Sequence, residues 1–182
     1  MTLLRACNKI NSTYNYKERG QRTLILTSSI DDRYGQNKIK SRIGIEENAI
    51  SVSTTDSILE IFKSHSDVSC VLVDEVQFMN KIQILELSEI VDSYNIPVIA
   101  YGLKSDFKQE LFPGSAALLS ICDCIENIPV ICWCGKKATV NARISDNKVI
   151  YNGEQILIGG NDQYISLCRK HWKEGKINNF KK

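Results

Sequence analysis

SCVLVDEVQF, residues 69–78, is an apolar run that stops at two adjacent carboxylates, Asp74 and Glu75. Its centre, Cys70 to Val73, is short and β-rich in composition, and reads as a buried strand. Working outward, Ile84, Leu87, Val91 and Tyr94 recur at spacings of three, four and three, which places them on one face of a helix. Pro97 punctuates, and Val98 to Tyr101 reads as another strand. Strand, helix and strand with short joints make a βαβ unit, so the sheet is expected to be parallel and the crossover right-handed. Upstream, Arg22 to Thr27 reads as a further buried strand and Ile58 to Phe62 as part of a helix.

Beyond about Ile125 the character changes. Ala138 to Ile144, Val149 to Tyr151 and Gln155 to Ile158 are short alternating stretches, separated by the turn signals Ser145-Asp146-Asn147 and Asn152-Gly153. A small β-rich lobe is expected after residue 127.

The composition is that of an ordinary soluble globule: 43% hydrophobic and 24% charged over 182 residues. With 23 basic and 21 acidic residues the net charge is +2, which argues against a nucleic-acid or membrane surface. No apolar run approaches the roughly 20 residues of a membrane span, and the N-terminus lacks the apolar core of a signal peptide. Seven cysteines, an odd number, point to a reducing, cytoplasmic setting and to metal ligation rather than disulfides.

Ligands of open α/β sheets bind outside the carboxyl ends of the strands, where Asp74 and Glu75 fall. One acid there can hold Mg²⁺ and its neighbour can act as general base on a hydroxyl. The alternative is a wet loop with two solvated acids. Cys132-Trp133-Cys134 and Cys168-Arg169-Lys170-His171, 33 residues apart, offer the thiolates and imidazole of a structural Zn²⁺ site. Cys122 and Cys124 form a rival pair, and free buried cysteines are the other reading. A lobe too small for a large core gives a metal staple a physical purpose. Three further loops stand out: Asp31 to Tyr34, where Arg33 could reach a phosphate; Tyr101 to Phe107, where Phe107 could stack on a planar ligand; and Ile158 to Tyr164, whose paired glycines allow close backbone approach.

Together YNYKERG (14–20), IDDRYG (30–35), SRIG (41–44), LVDEVQF (72–78), YGLKSDFKQELFPGS (101–115), CWCGKKA (132–138), IGGNDQY (158–164) and CRKH (168–171) resemble the thymidine kinase family, the cytosolic type with a zinc lobe. The resemblance runs from Tyr14 to His171. It implies an α/β fold: a parallel-sheet, P-loop-type kinase domain over residues 1–127, then a zinc-stapled β-rich lobe over 128–182 that carries the thymidine-binding loop. It implies transfer of the γ-phosphoryl of ATP to the 5′-hydroxyl of thymidine or deoxyuridine, in a cytoplasmic homotetramer. Glu75 matches the proton acceptor. Asp74, Val76 and Gln77, with Arg33, match the segments that face ATP and Mg²⁺. Phe107 matches the aromatic residue against thymine, and Ile156, Leu157, Ile158, Gly159 and Tyr164 the loop that wraps the base. Cys132, Cys134, Cys168 and His171 match the Zn²⁺ ligands.

One departure is plain. The family opens with a buried strand and a phosphate loop of the type G-x-x-x-x-G-K-[ST], whereas this chain opens MTLLRACNKINSTYNYKERG and contains no such motif. Thr2-Leu3-Leu4 resembles the residues just after the loop's lysine in relatives. An empty central position in the sheet is therefore expected. The chain is an N-terminally incomplete active kinase, a decayed enzyme, or a non-catalytic subunit that keeps the thymidine pocket; the intact Glu75, base loops and zinc ligands favour the first.

Overall fold

A computed structural model describes residues 2–4, 14–30, 38–40, 46–157 and 163–178. Two compact units emerge: one from residues 1–103 and 112–127, the other from 104–111 and 128–182.

The first unit is built on a five-stranded sheet. Its strands are β1 (Thr2–Leu4), β2 (Arg22–Ser28), β5 (Ile50–Val52), β6 (Val68–Asp74) and β7 (Val98–Tyr101), in the order β1-β7-β6-β2-β5. Every pairing is parallel, with Leu26 opposite Val73 and Val73 opposite Ala100. A parallel sheet is covered on both faces, so its strands read as continuous apolar runs rather than alternating ones. Thus Val71 and Val73 enter the larger core with Leu24, Leu26 and Ala100. Cys70 and Leu72 enter the smaller one with Ile25 and Tyr101. Tyr16, from the short helix α1 at residues 14–18, packs against that smaller core.

The larger core is closed by helices α2 (Ile58–Lys63), α3 (Lys81–Tyr94) and α4 (Pro113–Ile121). Of the expected face of α3, Ile84 and Leu87 are fully buried, and Ile90 joins them. Tyr94 stays partly exposed and meets Phe62 of α2 edge-on, ring centroids 5.0 Å apart. Asn80 and Gln83 cap α3 reciprocally, which satisfies two N-terminal N–H groups. Glu86 of α3 in turn accepts the N–H of Ile58 at 2.6 Å and the hydroxyl of Ser57 at 2.8 Å, pinning the start of α2. A separate two-stranded antiparallel sheet pairs β3 (Lys38–Lys40) with β4 (Glu46–Asn48).

Among the described residues the five strands form one continuous sheet. β7, β6, β2 and β5 are hydrogen-bonded neighbours, and β1 lies along the outer side of β7. The short run Thr2–Leu4 thus supplies an outer parallel strand of the described sheet.

The second unit has a three-stranded antiparallel sheet in the order β10 (Tyr164–Leu167), β8 (Val140–Ser145), β9 (Lys148–Ile150), followed by helix α5 (Arg169–Lys173). Asp146 and Asn147 both have positive φ, 49° and 58°, so the β8–β9 hairpin turns on the two residues whose type tolerates it. The expected strand over Gln155 to Ile158 is a correction. Residues 155–157 form no strand; the carbonyls of Gln155 and Leu157 accept from the side chains of Arg143 and Tyr164, and Ile158 lies outside the described residues.

Candidate functional site

Asp74 ends β6, and Glu75 follows in the left-handed region with φ 50° and ψ 39°. For a residue with a Cβ this conformation costs about 1–2 kcal/mol, so the surroundings must hold it. They do. The N–H of Glu75 donates to Asp74 Oδ1 at 2.6 Å, and a single 3₁₀ turn, Val76–Phe78, redirects the chain. Gln77 on that turn is 1% exposed and spans two groups. Its Oε1 accepts the N–H of Leu103 at 3.0 Å, which fixes the amide's orientation, and its Nε2 donates to Glu75 Oε2 at 2.6 Å. An amide nitrogen can only donate, so Gln77 orients Glu75 as an acceptor.

Two glycines make this possible. A Cβ on Gly102 would lie 2.5 Å from Gln77 Oε1, and one on Gly114 would lie 2.4 Å from the carbonyl oxygen of Val76. Ser115 clamps the same corner by donating to the Leu103 carbonyl at 2.6 Å. Val76 and Gln77 are both buried, and Gln77 supports Glu75. Arg33 lies outside the described residues.

In the second unit, Cys132, Cys134, Cys168 and His171 converge, with their ligand atoms all within 4.8 Å of one another. His171 Nδ1 lies 3.5 Å from the sulfurs of both Cys132 and Cys168, and Cys134 Sγ lies 4.0 Å from Cys168 Sγ. A tetrahedral ion with bonds of about 2.3 Å to sulfur and 2.0–2.1 Å to nitrogen requires S···N near 3.6 Å and S···S near 3.8 Å. The donor set fits. A tight turn supports one arm, the N–H of Gly135 donating to Cys132 O at 2.9 Å with φ 80° at the glycine. Cys168 and His171 come from the start of α5, and Trp133 stacks on the imidazole at 4.1 Å. Burial raises the Cys132 thiol's pKa, but the N–H of Cys134, His171 and the N–H of Cys168 together outweigh it and bring it down from 9.0 to about 6. Thiolate is the ligand form, so the site is prepared for a cation. Cys122 and Cys124 lie in the other unit and outside this cluster.

Phe107 is 1% exposed, with the Arg143 guanidinium 3.9 Å above its ring. Tyr164, on β10, accepts from Arg143 Nη2 at 2.8 Å and donates to the Leu157 carbonyl at 2.9 Å. Ile156 and Leu157 are exposed, whereas Ile158 and Gly159 lie outside the described residues. Sequence reasoning missed Arg143, Asp106 and Gln155. Asp106 Oδ1 closes the loop of residues 104–111 by accepting the N–H groups of Lys108 and Glu110 at 2.8 and 2.9 Å, and Oδ2 accepts from Gln155 at 3.2 Å.

The fold and these sites define a class: an α/β protein with a parallel sheet ending in paired acids, and a second unit organised round a Cys/His cluster able to hold a metal ion. The family model for thymidine kinase matches residues 5–172. A thymidine kinase of Shewanella oneidensis is 50% identical over 169 residues, covering 91% of this chain and 88% of that one. One of Zymomonas mobilis is 46% identical over 180 residues, covering 97% and 93%. One of Rhodopirellula baltica is 46% identical over 169 residues, covering 91% and 80%. The chain belongs to the thymidine kinase family.

Proposed function

We propose that the protein transfers the γ-phosphoryl group of ATP to the 5′-hydroxyl of thymidine. Family membership supports the activity, and one observation carries the mechanism: Glu75 is held in a strained left-handed conformation with its carboxylate oriented by a buried glutamine. Strain of this kind persists where the surroundings over-determine it, as they do at functional sites. Glu75 is the general base that takes the proton of the 5′-hydroxyl, leaving the oxygen free to attack phosphorus. Asp74 carries the hard carboxylate oxygens that suit Mg²⁺, which when bound neutralises charge developing on the phosphates. Phe107, Leu157 and Tyr164, with Ile156, Ile158 and Gly159, hold the pyrimidine, and Arg33 serves the phosphates. Zn²⁺ is the ion for Cys132, Cys134, Cys168 and His171, where it would have a structural role, since all four positions are protein donors. A cytoplasmic homotetramer is the corresponding assembly.

A second reading keeps the pocket without turnover. It differs from the first in lacking a cradle for the β- and γ-phosphates, which in kinases a phosphate loop's N–H groups and lysine supply. Incubation of the 182-residue chain with thymidine and Mg·ATP, with Glu75→Gln as control, separates the two. Turnover abolished by the substitution supports the kinase; thymidine binding without turnover supports the second reading.

A further inference from the structure

Arg143 is a buried cation, 7% exposed, on the middle strand of the second unit. Each of its three guanidinium nitrogens donates a hydrogen bond. Nε and Nη2 donate to the Tyr164 hydroxyl at 3.1 and 2.8 Å, Nη1 to the Glu154 carbonyl at 2.8 Å, and Nη2 also to the Gln155 carbonyl at 3.4 Å. Its flat face covers Phe107. Tyr164 passes the constraint on, since its hydroxyl donates to the Leu157 carbonyl at 2.9 Å. Arg143 thus engages the carbonyls of Glu154 and Gln155 directly and that of Leu157 through one phenol. Gly153 lies over the same group: a Cβ there would sit 3.5 Å from Arg143 Nη1, and its φ of 133° suits glycine.

From this geometry, and resting on the thymidine-binding role proposed above, we infer that Arg143 is a positioning residue for the nucleoside base. It fixes the ring of Phe107 and the segment 154–157 as a single clasp. Lysine cannot replace it. An ammonium keeps the charge but has neither the planar face that lies on Phe107 nor the fork that reaches the phenol and two carbonyls at once.

The test is steady-state kinetics of the full chain for Arg143→Met, Arg143→Lys and Tyr164→Phe. Losing hydrogen bonds to a charged group corresponds to about a 10- to 100-fold effect. Both arginine substitutions are expected to raise the KM for thymidine by about that factor, with kcat and the KM for ATP within about threefold of wild type. Tyr164→Phe should raise it several-fold, and combining it with Arg143→Met should give less than the product of the separate effects, because both act through one relay. Metal content checks that the second unit is folded. Should Arg143→Met fail to fold, Tyr164→Phe decides, since it removes a hydroxyl and keeps the ring.

A wild-type chain that phosphorylates thymidine while folded Arg143→Lys keeps its KM overturns the clasp alone, as does an unchanged KM in Tyr164→Phe. If the wild type binds thymidine without turnover, calorimetric Kd values replace KM and the same comparisons apply. A wild type that neither binds nor phosphorylates thymidine overturns the proposed function, and the clasp with it.

Discussion

Gly114→Ala is the sharpest test of how Glu75 is held. A Cβ at this position would lie 2.4 Å from the carbonyl oxygen of Val76, 2.6 Å from that of Met79 and 2.9 Å from that of Gln77, all closer than the 3.0 Å that such contacts essentially never undercut. Relief of the first alone requires at least 0.6 Å of movement, the difference between 3.0 and 2.4 Å. The oxygens cannot rotate away freely, because the Val76 carbonyl already accepts the N–H of Met79 at 3.1 Å. Overpacking of this kind costs about 1–3 kcal/mol. Alanine returns up to about 0.5–1 kcal/mol through helix propensity. The net loss, about 0–2.5 kcal/mol with its middle near 1, corresponds to a fall in Tm of up to about 10 °C for a protein of this size.

Far-UV circular dichroism reads this in the first unit, which contains the longer helices. Trp133 and Trp172, both in the second unit, provide a separate fluorescence signal that should change little. Because displacement of about 1 Å costs up to roughly 100-fold in rate, kcat should fall by about tenfold or more as the turn carrying Gln77 moves. An unchanged or raised Tm with full activity would refute the packing of α4 against residues 76–79. Gly135→Ala is the control for conformation alone. Nothing lies within 4 Å of its Cβ position and its φ is 80°, so about 1–2 kcal/mol of backbone strain is expected without a steric component.

Glu75→Gln should lower kcat by about 100-fold or more while leaving the Kd for thymidine within a few-fold, measured by isothermal titration calorimetry. Protein purified without chelator should carry one Zn²⁺ per chain by atomic absorption, and chelation should lower the second unit's unfolding midpoint, followed by tryptophan fluorescence. With metal removed, Cys132 makes that unit's stability depend on pH. Its pKa falls from 9.0 to about 6 on folding, so its contribution is complete above 9.0, declines as pH falls and is gone below about 6. Chemical denaturation of metal-free protein at pH 5 and pH 8 should show the higher midpoint at pH 8.

The sheet was legible because burial on both faces leaves an unmistakable trace, the unbroken apolar runs of β2, β6 and β7. The β8–β9 turn was legible from Asp146 and Asn147, whose side chains tolerate positive φ. β10 was not, because Tyr164 to Leu167 becomes a strand through pairing with β8, more than a dozen residues earlier. α4 was not read from the sequence, although Pro113 suits a helix start, where its missing N–H costs nothing. Cysteine and histidine types offered the metal cluster but left Cys122 and Cys124 as a rival pair, and only the family resemblance chose between them. Arg143 could not be singled out, since a buried arginine and a solvated one look alike in sequence, and only the carbonyls of 154 and 155 distinguish them.

The chain enters the second unit at residue 104, leaves it after 111, and returns for good at 128. Neither unit is therefore a continuous piece of gene. A fragment cut at residue 128 would keep the Cys/His cluster yet lose Asp106, the acceptor for Gln155, and Phe107, the surface beneath Arg143. The metal centre is portable on one contiguous stretch of chain, whereas the arginine clasp is not. Domain grafts or deletions drawn at that linear boundary would transplant the staple and leave behind Asp106 and Phe107.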